Sequence, residues 1–280
     1  MSRSPLVSSF VSEWHKLRKR PANLIMASIL VVSIVLFAYI LPYVQFLNPR
    51  LATSTALLSA AHFYPQDFLR TTIALAPFLS ILALIVGALM GGSEYSYGTL
   101  KAVFTQGPSR PTAFFGGFGA LAFFLFYMTV LAFATGAITS VGFAIAQSQS
   151  LTAWPAALAL LEALGATWLI FVAFAAFGLM LAHLFKQPSA AIGLGIAYLI
   201  LIENLIVHYL LGANSTLDAV LRLLPTSNSQ SLVAAFSPTP LGSQALVSIV
   251  PATQAVFMLA LYIFLFVLLT AAVLRRRDVV

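Results

Sequence analysis

The run AALALLEALGATWLIFVAFAAFGLMLAHLF, from Ala156 to Phe185, contains one carboxylate, Glu162, and no lysine or arginine. A helix that crosses a bilayer needs about 20 mostly apolar residues. This run exceeds that length. Its apolar residues are continuous rather than alternating with polar ones, which is typical of a membrane helix and not of a barrel strand. It therefore predicts a membrane-spanning helix.

Five further runs of the same kind lie on either side of it. They cover Asn23–Phe46, Thr71–Gly91, Thr112–Ala146, Ser189–Leu211 and Thr253–Leu274. The third and fourth of the six runs are longer than one span requires, so we expect them to tilt, kink or project beyond the bilayer. The predicted fold is an all-α polytopic membrane protein, with six transmembrane helices in one domain over residues 23–274.

The composition of the chain is that of a protein dissolved in lipid. Of its 280 residues, 61% are hydrophobic and 8% are charged, whereas a soluble domain carries about 25% charged residues. The absence of cysteine excludes disulfides and thiolate metal sites. The net charge of +7 would suit nucleic acid. However, no basic domain lies outside the predicted spans, so the sequence argues against a nucleic-acid partner.

The lysines and arginines predict how the spans are oriented, because cytoplasmic loops carry an excess of them. With the N-terminus inside, three of the fourteen (Arg50, Arg70 and Arg222) lie outside and the other eleven lie inside. We therefore expect an integral protein of a prokaryotic cytoplasmic membrane with both termini in the cytoplasm, including a basic tail over residues 275–280. The first apolar run is too long for a signal peptide, and we expect it to be retained.

Two segments on the predicted outer side are longer than a turn. They cover residues 47–70, between the first two spans, and residues 212–252, between the fifth and sixth. The second contains LDAVLRLLP (217–225) and SQSLVAAF (229–236), which have apolar residues at helical spacing. We expect short helices there, forming a hairpin that lies on the outer face or dips into it.

The cytoplasmic N-terminus, residues 1–22, has the pattern of an amphipathic helix. Ser4 is a candidate N-cap and Pro5 suits the first helical position. One stripe holds Leu6, Phe10, Trp14 and Leu17. A basic amphipathic helix with a tryptophan at its apolar edge is typical of the membrane interface. The alternative is a positive anchor that only sets topology.

The loop after the second span, GGSEYSYGTLKAVFTQGPSR (91–110), predicts a short helix over residues 94–106. Ser93 is a candidate N-cap for a helix that begins at Glu94, and Gly107-Pro108 supplies a stop. A helix of three turns is marginal alone in water. Exposed Tyr97, Leu100 and Phe104 would therefore need a partner surface. The alternative is a loop that folds back on the protein's own helix ends.

These motifs resemble the permease subunits of ABC exporters of the ABCG-like, type-two export family. The similar features are Glu94 after the second span, then G-T-L (98–100) and G-x-S-R (107–110), and Glu13-x-x-Lys16 ahead of the first span. Six spans, an outer hairpin and a closing RRRD (275–278) agree in layout. One position departs from the family, which often has Gly-Lys where this chain has Gly116-Gly117.

The resemblance implies that residues 94–106 form a coupling helix docked on a cytoplasmic ABC ATPase subunit, and that the N-terminal helix is the connecting helix. The coupling residues would be Glu94, Tyr95, Tyr97, Gly98, Thr99, Leu100, Lys101, Phe104 and Arg110. Those of the connecting helix would be Glu13, Trp14 and Lys16. Glu94 would make a polar contact with the connecting helix or the ATPase. Arg110 would anchor the loop at lipid phosphates.

ATP and magnesium are expected on the partner and not on this chain, which has no G-x-x-x-x-G-K-[ST] motif. No cofactor, metal site or catalytic residue is predicted here. The other expected partners are a second permease copy and the lipid bilayer. The expected activity is export of a hydrophobic or amphipathic drug, peptide antibiotic or lipid.

A second candidate site lies within the predicted spans, where ionisable groups are costly and usually functional. It comprises Glu162, Glu203, Asn204 and His208. These residues would bind a cationic substrate or relay protons; alternatively, they hold helices together. The rival functions that would use them are an intramembrane enzyme, an assembly protein or an ion-coupled secondary carrier. His183 and His62 are predicted to be boundary and loop residues.

Overall fold

The computed structural model of the protein describes residues 4–48, 60–96, 109–203, 219–236 and 249–276. Within these ranges the chain forms helices and turns and no strand. The predicted all-α class is confirmed. In lipid a backbone must satisfy its own hydrogen bonds, and a helix does so within one segment.

The N-terminal helix α1 spans Pro5–Lys19 and is followed by α2, Pro21–Leu47. Arg20 between them is extended. Seven residues of α2, Ile34–Ile40, are π-helical. Pro42 accounts for this widening, because it has no N–H and its ring crowds the carbonyl four residues back. Ser4 lies at the N-cap position as predicted, but its side chain makes no capping bond.

The remaining helices follow in chain order. After a 3₁₀ turn at Ala60–Phe63 they are α3 (Phe68–Ile73), α4 (Ala76–Ser96), α5 (Arg110–Ala146), α6 (Ala157–Phe185), α7 (Pro188–Ala197, continued as π-helix over Tyr198–Glu203), α8 (Pro225–Ala234) and α9 (Ala252–Arg276).

Five helices in the described ranges are long and apolar enough to cross a membrane, as in an integral membrane protein. They are Pro21–Leu47, Ala76–Ser93, Pro111–Ala146, Ala157–Phe185 and Ala252–Arg275. The predicted fifth span begins with α7, but its last eight residues, 204–211, lie outside the described ranges. Two details of the prediction were wrong. The second run is broken between α3 and α4, and α4 continues to Ser96, so Ser93 lies inside a helix instead of capping one.

The helix pair α4 and α6 forms the centre of the bundle. A Cβ at Gly87 of α4 would overlap the carbonyl oxygen of Ala175, and a Cβ at Gly178 of α6 would overlap that of Leu84. The backbones of the two helices therefore touch directly, which only residues without a side chain allow. The α7 helix packs on the same pair, where Gly195 faces Leu84.

Candidate functional site

Three helix ends meet around His183: the end of α4, the start of α5 and the end of α6. The first two flank segment 97–108. The α4 helix ends one residue before this segment, and α5 begins two residues after it. The ring of Tyr95, in the last turn of α4, lies 5.7 Å from the His183 ring; Phe114, in the first turns of α5, lies 6.3 Å from it. We call Tyr95, Phe114 and His183 the base cluster. It joins both ends of the segment to α6.

The local sequence makes room for this cluster. His183 is 4% exposed, and its Nδ1–H donates to the carbonyl of Leu179 at 2.9 Å, within α6. A Cβ at Gly91 would lie 2.8 Å from Nδ1, so the ring needs a glycine opposite it. The adjacent Gly92 faces Pro188 at the start of α7, where a Cβ would lie 2.6 Å from the Pro188 Cα. The Gly91-Gly92 pair thus admits two neighbouring helices at one level.

The α1 helix packs against the first half of α5. A Cβ at Gly116 would lie 2.7 Å from the Ser9 Cβ, so the two helices are in close contact there. Further along, the Trp14 ring packs edge-on against Phe123, with the ring centres 4.8 Å apart. Of the predicted apolar stripe, Phe10, Trp14 and Leu17 face the protein, whereas Leu6 stays half-exposed.

The Glu13 side chain lies beside this contact, opposite Gly117. The Cγ of Glu13 would lie 3.6 Å from a Cβ at Gly117, so a lysine side chain there would start beside this carboxylate. In this chain Lys16 provides the cation, at 2.5 Å from Glu13 Oε1. This charge pair is made within α1.

The corner between α1 and α2 is tied to α4 just before the base cluster. The Arg20 guanidinium donates to the carbonyl of Leu89 at 3.4 Å. Asn23 closes the corner by donating to the carbonyl of Leu17 at 2.8 Å. The last turns of α4 therefore contact both the α1–α2 corner and α6.

One comparison with known families covers nearly the whole chain. The model of DUF2705, described as a protein of unknown function, matches residues 24–280. The chain belongs to the DUF2705 family. The match begins after α1, so the α1 contact with α5 lies partly outside the family's shared region. No curated protein matches the sequence.

In this DUF2705 protein, the predicted coupling and connecting residues are only partly described. Glu13, Trp14 and Lys16 lie together in α1, and Tyr95 lies in the base cluster. Glu94 is in the last turn of α4 and Arg110 is the first residue of α5, but the description does not extend to their side chains. The residues outside the described ranges are Tyr97, Gly98, Thr99, Leu100, Lys101 and Phe104.

Of the predicted polar site within the spans, the structure describes only the side chain of Glu162. Glu162 is exposed on α6. It lies on the same face as Leu158, one turn earlier, which is 67% exposed. Glu203 ends the described part of α7, and its side chain is not described. Asn204 and His208 lie outside the described ranges.

Sequence reasoning missed the role of His183, which it placed at a helix boundary beside Lys186. The only sequence signal was the Gly91-Gly92 pair, which predicts close packing but not its partner. Burial against Tyr95 and Phe114 depends on how α4, α5 and α6 meet, and no local pattern specifies that.

Replacing His183 by alanine should destabilise the DUF2705 protein by about 2–4 kcal/mol, the range for losing a large buried side chain. The check is thermal unfolding in one detergent. The matched control is His15→Ala. His15 makes the same bond to the carbonyl four residues back, Val11, at 2.9 Å, but its ring is exposed, so the expected change is under about 0.5 kcal/mol. Equal losses in the two variants would show that the base cluster contributes nothing.

Proposed function

We propose that this DUF2705 protein is the permease subunit of an ATP-driven ABC exporter. It spans the membrane six times, with α7 and the residues after it as the fifth span, and keeps both termini in the cytoplasm. Two copies pair, and each binds one cytoplasmic ATPase subunit through residues 94–106. The ATPase subunit binds ATP and magnesium, because this chain has no phosphate-binding loop.

The observation that carries this proposal is the base cluster. Segment 97–108 is anchored at one end by Tyr95 and at the other by Phe114, and both rings contact His183 of α6. A displacement of the segment therefore pushes on three helices at once. A loop that served only as a connection would need neither anchor.

The α1 contact supports the same function. The α1 helix contacts α5 at Gly116, and the corner after it is tied to Leu89 of α4, so it packs on both helices that flank the segment that would dock. In the resemblance this is the position of the connecting helix. Glu94, or Glu13 through its pair with Lys16, would make the polar contact to the ATPase. Arg110 would bind lipid phosphates.

The mechanism follows from these contacts. ATP binding closes the two ATPase subunits and moves both coupling segments. The base cluster passes that movement to α6, and α1 passes it to α5, so the paired bundles change between inward- and outward-facing arrangements. Nucleotide binding shifts this equilibrium only because it favours one arrangement over the other. The cargo is a hydrophobic or amphipathic molecule.

The test is purification of the protein from its native host in mild detergent, with ATPase assay of the proteins that accompany it. We expect a stoichiometric ATPase subunit. Gly98→Trp should lower the stimulation of ATPase activity by at least about tenfold, equivalent to about 1.4 kcal/mol of lost docking free energy. The reason is that a bulky side chain blocks the close approach of the ATPase subunit to residue 98. Insertion into the membrane should not change.

The control is Gly193→Trp. Gly193 lies in α7, and outside the neighbouring backbone of that helix no described atom comes within 4 Å of the position that a Cβ would take there. This variant should leave ATPase stimulation unchanged. A protein that purifies alone in several detergents, or that stimulates its ATPase normally with Gly98→Trp, would remove the coupling role. Transport would then have to be sought without ATP, at Glu162, Glu203 and His208.

A further inference from the structure

The helix α8 is polar in sequence yet buried. Its ten residues, PTSNSQSLVA, contain no charge and six hydroxyl or amide side chains. Ser227, Asn228 and Ser229 are completely buried, and Ser231 is 1% exposed. A helix of this composition on a protein surface would turn these groups to water. Here they are enclosed by α4, α6 and α9.

Hydrogen bonds place the N-terminus of α8 deep beside α9. The Tyr262 hydroxyl donates to the carbonyl of Leu223, just before α8. Tyr262 lies ten residues into α9, about 15 Å along its axis. At the other end, Ser231 Oγ accepts the N–H groups of Ile249 (3.0 Å) and Val250 (3.3 Å), just ahead of α9. The N-terminus of α8 therefore lies beside the middle of α9, and its C-terminal half lies beside the start of α9.

Some of the polar atoms at the N-terminus of α8 are hydrogen-bonded, and others have no partner among the described residues. Asn228 Nδ2 donates to the carbonyls of Arg222 (3.0 Å) and Leu224 (2.8 Å), which holds the amide against the start of the helix. Asn228 Oδ1 and Ser227 Oγ are buried and have no hydrogen-bond partner among the described residues. The residue at the N-cap position, Leu224, has no polar side chain with which to cap the helix. Unpartnered buried groups are strongly unfavourable, so a group that bonds to these two atoms would stabilise the folded protein.

The chemistry of the two atoms selects that group. Asn228 Oδ1 only accepts, whereas the Ser227 hydroxyl can donate or accept. An anion is disfavoured by the amide oxygen, and a cation by the positive end of the helix. A neutral hydroxyl suits both atoms chemically, because a hydroxyl can donate to an acceptor such as Oδ1 and can accept from a donor such as the Ser227 hydroxyl. The turn just ahead of α8 carries exposed apolar side chains, Val220 at 49% and Leu223 at 52%, so an apolar molecule in the membrane can approach the start of this helix.

We propose that Ser227 and Asn228 bind the hydroxyl group of an otherwise apolar molecule dissolved in the membrane. This site is independent of the coupling role, and its test needs no ATPase. The probes are a diazirine-bearing octanol and the diazirine-bearing octane that lacks only the hydroxyl. Each is photolysed with the full chain in lipid nanodiscs, and the labelled residues are mapped by mass spectrometry.

We expect saturable labelling of residues 219–236 by the octanol and about five- to tenfold less by the octane, the ratio that hydrogen bonding at a buried site supports. Asn228→Leu and Ser227→Ala should remove the difference. Ser227→Ala should also fold at least as well as the parent, because it deletes an unpartnered hydroxyl. Ser231→Ala is the control on the same helix: its hydroxyl is already bonded, so the preference for octanol should persist.

Competition identifies the source of the hydroxyl. A diacylglycerol that displaces the octanol while a triacylglycerol does not would support a lipid ligand. Displacement by octanol alone would support a small alcohol as the ligand. Equal labelling by the two probes, or an undiminished octanol preference in both Ser227→Ala and Asn228→Leu, would overturn the proposal and leave a bound water as the partner of these atoms.

Discussion

We expect Gly178→Ala to lower the stability of the folded protein by about 3 kcal/mol, the upper end of the usual penalty for overpacking a core. The change adds one methyl group. However, the site for that methyl is occupied by the carbonyl oxygen of Leu84, a backbone atom that cannot rotate away. The α4 and α6 helices would have to separate along their whole contact. Gly87→Ala should act in the same way from the other side, against Ala175.

The control uses the same helix and the same methyl group. Outside the neighbouring backbone of its own helix, Gly165 of α6 has no described atom within 4 Å of the Cβ position. Gly165→Ala should therefore be neutral or slightly stabilising, because alanine is a better helix former by about 1 kcal/mol in water. Thermal unfolding followed by size-exclusion chromatography compares the three variants. A Gly178→Ala protein as stable as Gly165→Ala would show that α4 and α6 do not touch at Gly178.

The second large effect is expected from Gly116→Leu, which should lift α1 from α5. Ser9 Cβ and the Leu6 carbonyl lie 2.7 and 3.1 Å from where the new Cβ would be. Undocking would expose Phe10 and Trp14, which are partly buried, and each would lose a part of the roughly 1.5–3 kcal/mol that complete burial of such a side chain contributes. The spans would remain folded, because the α4–α6 contacts at Gly87 and Gly178 do not involve α1. The proposed coupling predicts that ATPase stimulation falls when α1 leaves α5.

Tryptophan fluorescence reports the docking directly. With Trp154 and Trp168 replaced by phenylalanine, Trp14 is the only indole, and its packing against Phe123 at 4.8 Å shields it. Gly116→Leu should shift its emission to the red. The control is Gly142→Leu in the same helix, where no described atom outside the neighbouring backbone lies within 4 Å of the Cβ position. This variant should leave the Trp14 emission unchanged. An unchanged spectrum in both variants would mean that α1 does not rest on Gly116.

The sequence alone determined the helical class and the approximate positions of the apolar helices. Residues such as Ala156–Phe185 form a helix because lipid offers no partner for the backbone, so hydropathy and length suffice. The stripe of α1 was also legible, since Pro5, Pro21 and the spacing of Phe10, Trp14 and Leu17 are local signals. The break before Ala76 and the extension of α4 to Ser96 were missed, because an apolar run does not specify where one helix ends.

Only the tertiary structure decided which helices touch and what they enclose. No residue near Gly178 in the sequence predicts that Leu84 packs against it. His183 is buried because Gly91, which has no side chain, lies opposite its ring. The serines and asparagine of α8 show the limit most clearly. Their polarity predicts exposure, yet Tyr262 holds the start of this helix beside the middle of α9. Local pattern sets the state of a segment, whereas burial depends on surfaces that distant segments supply.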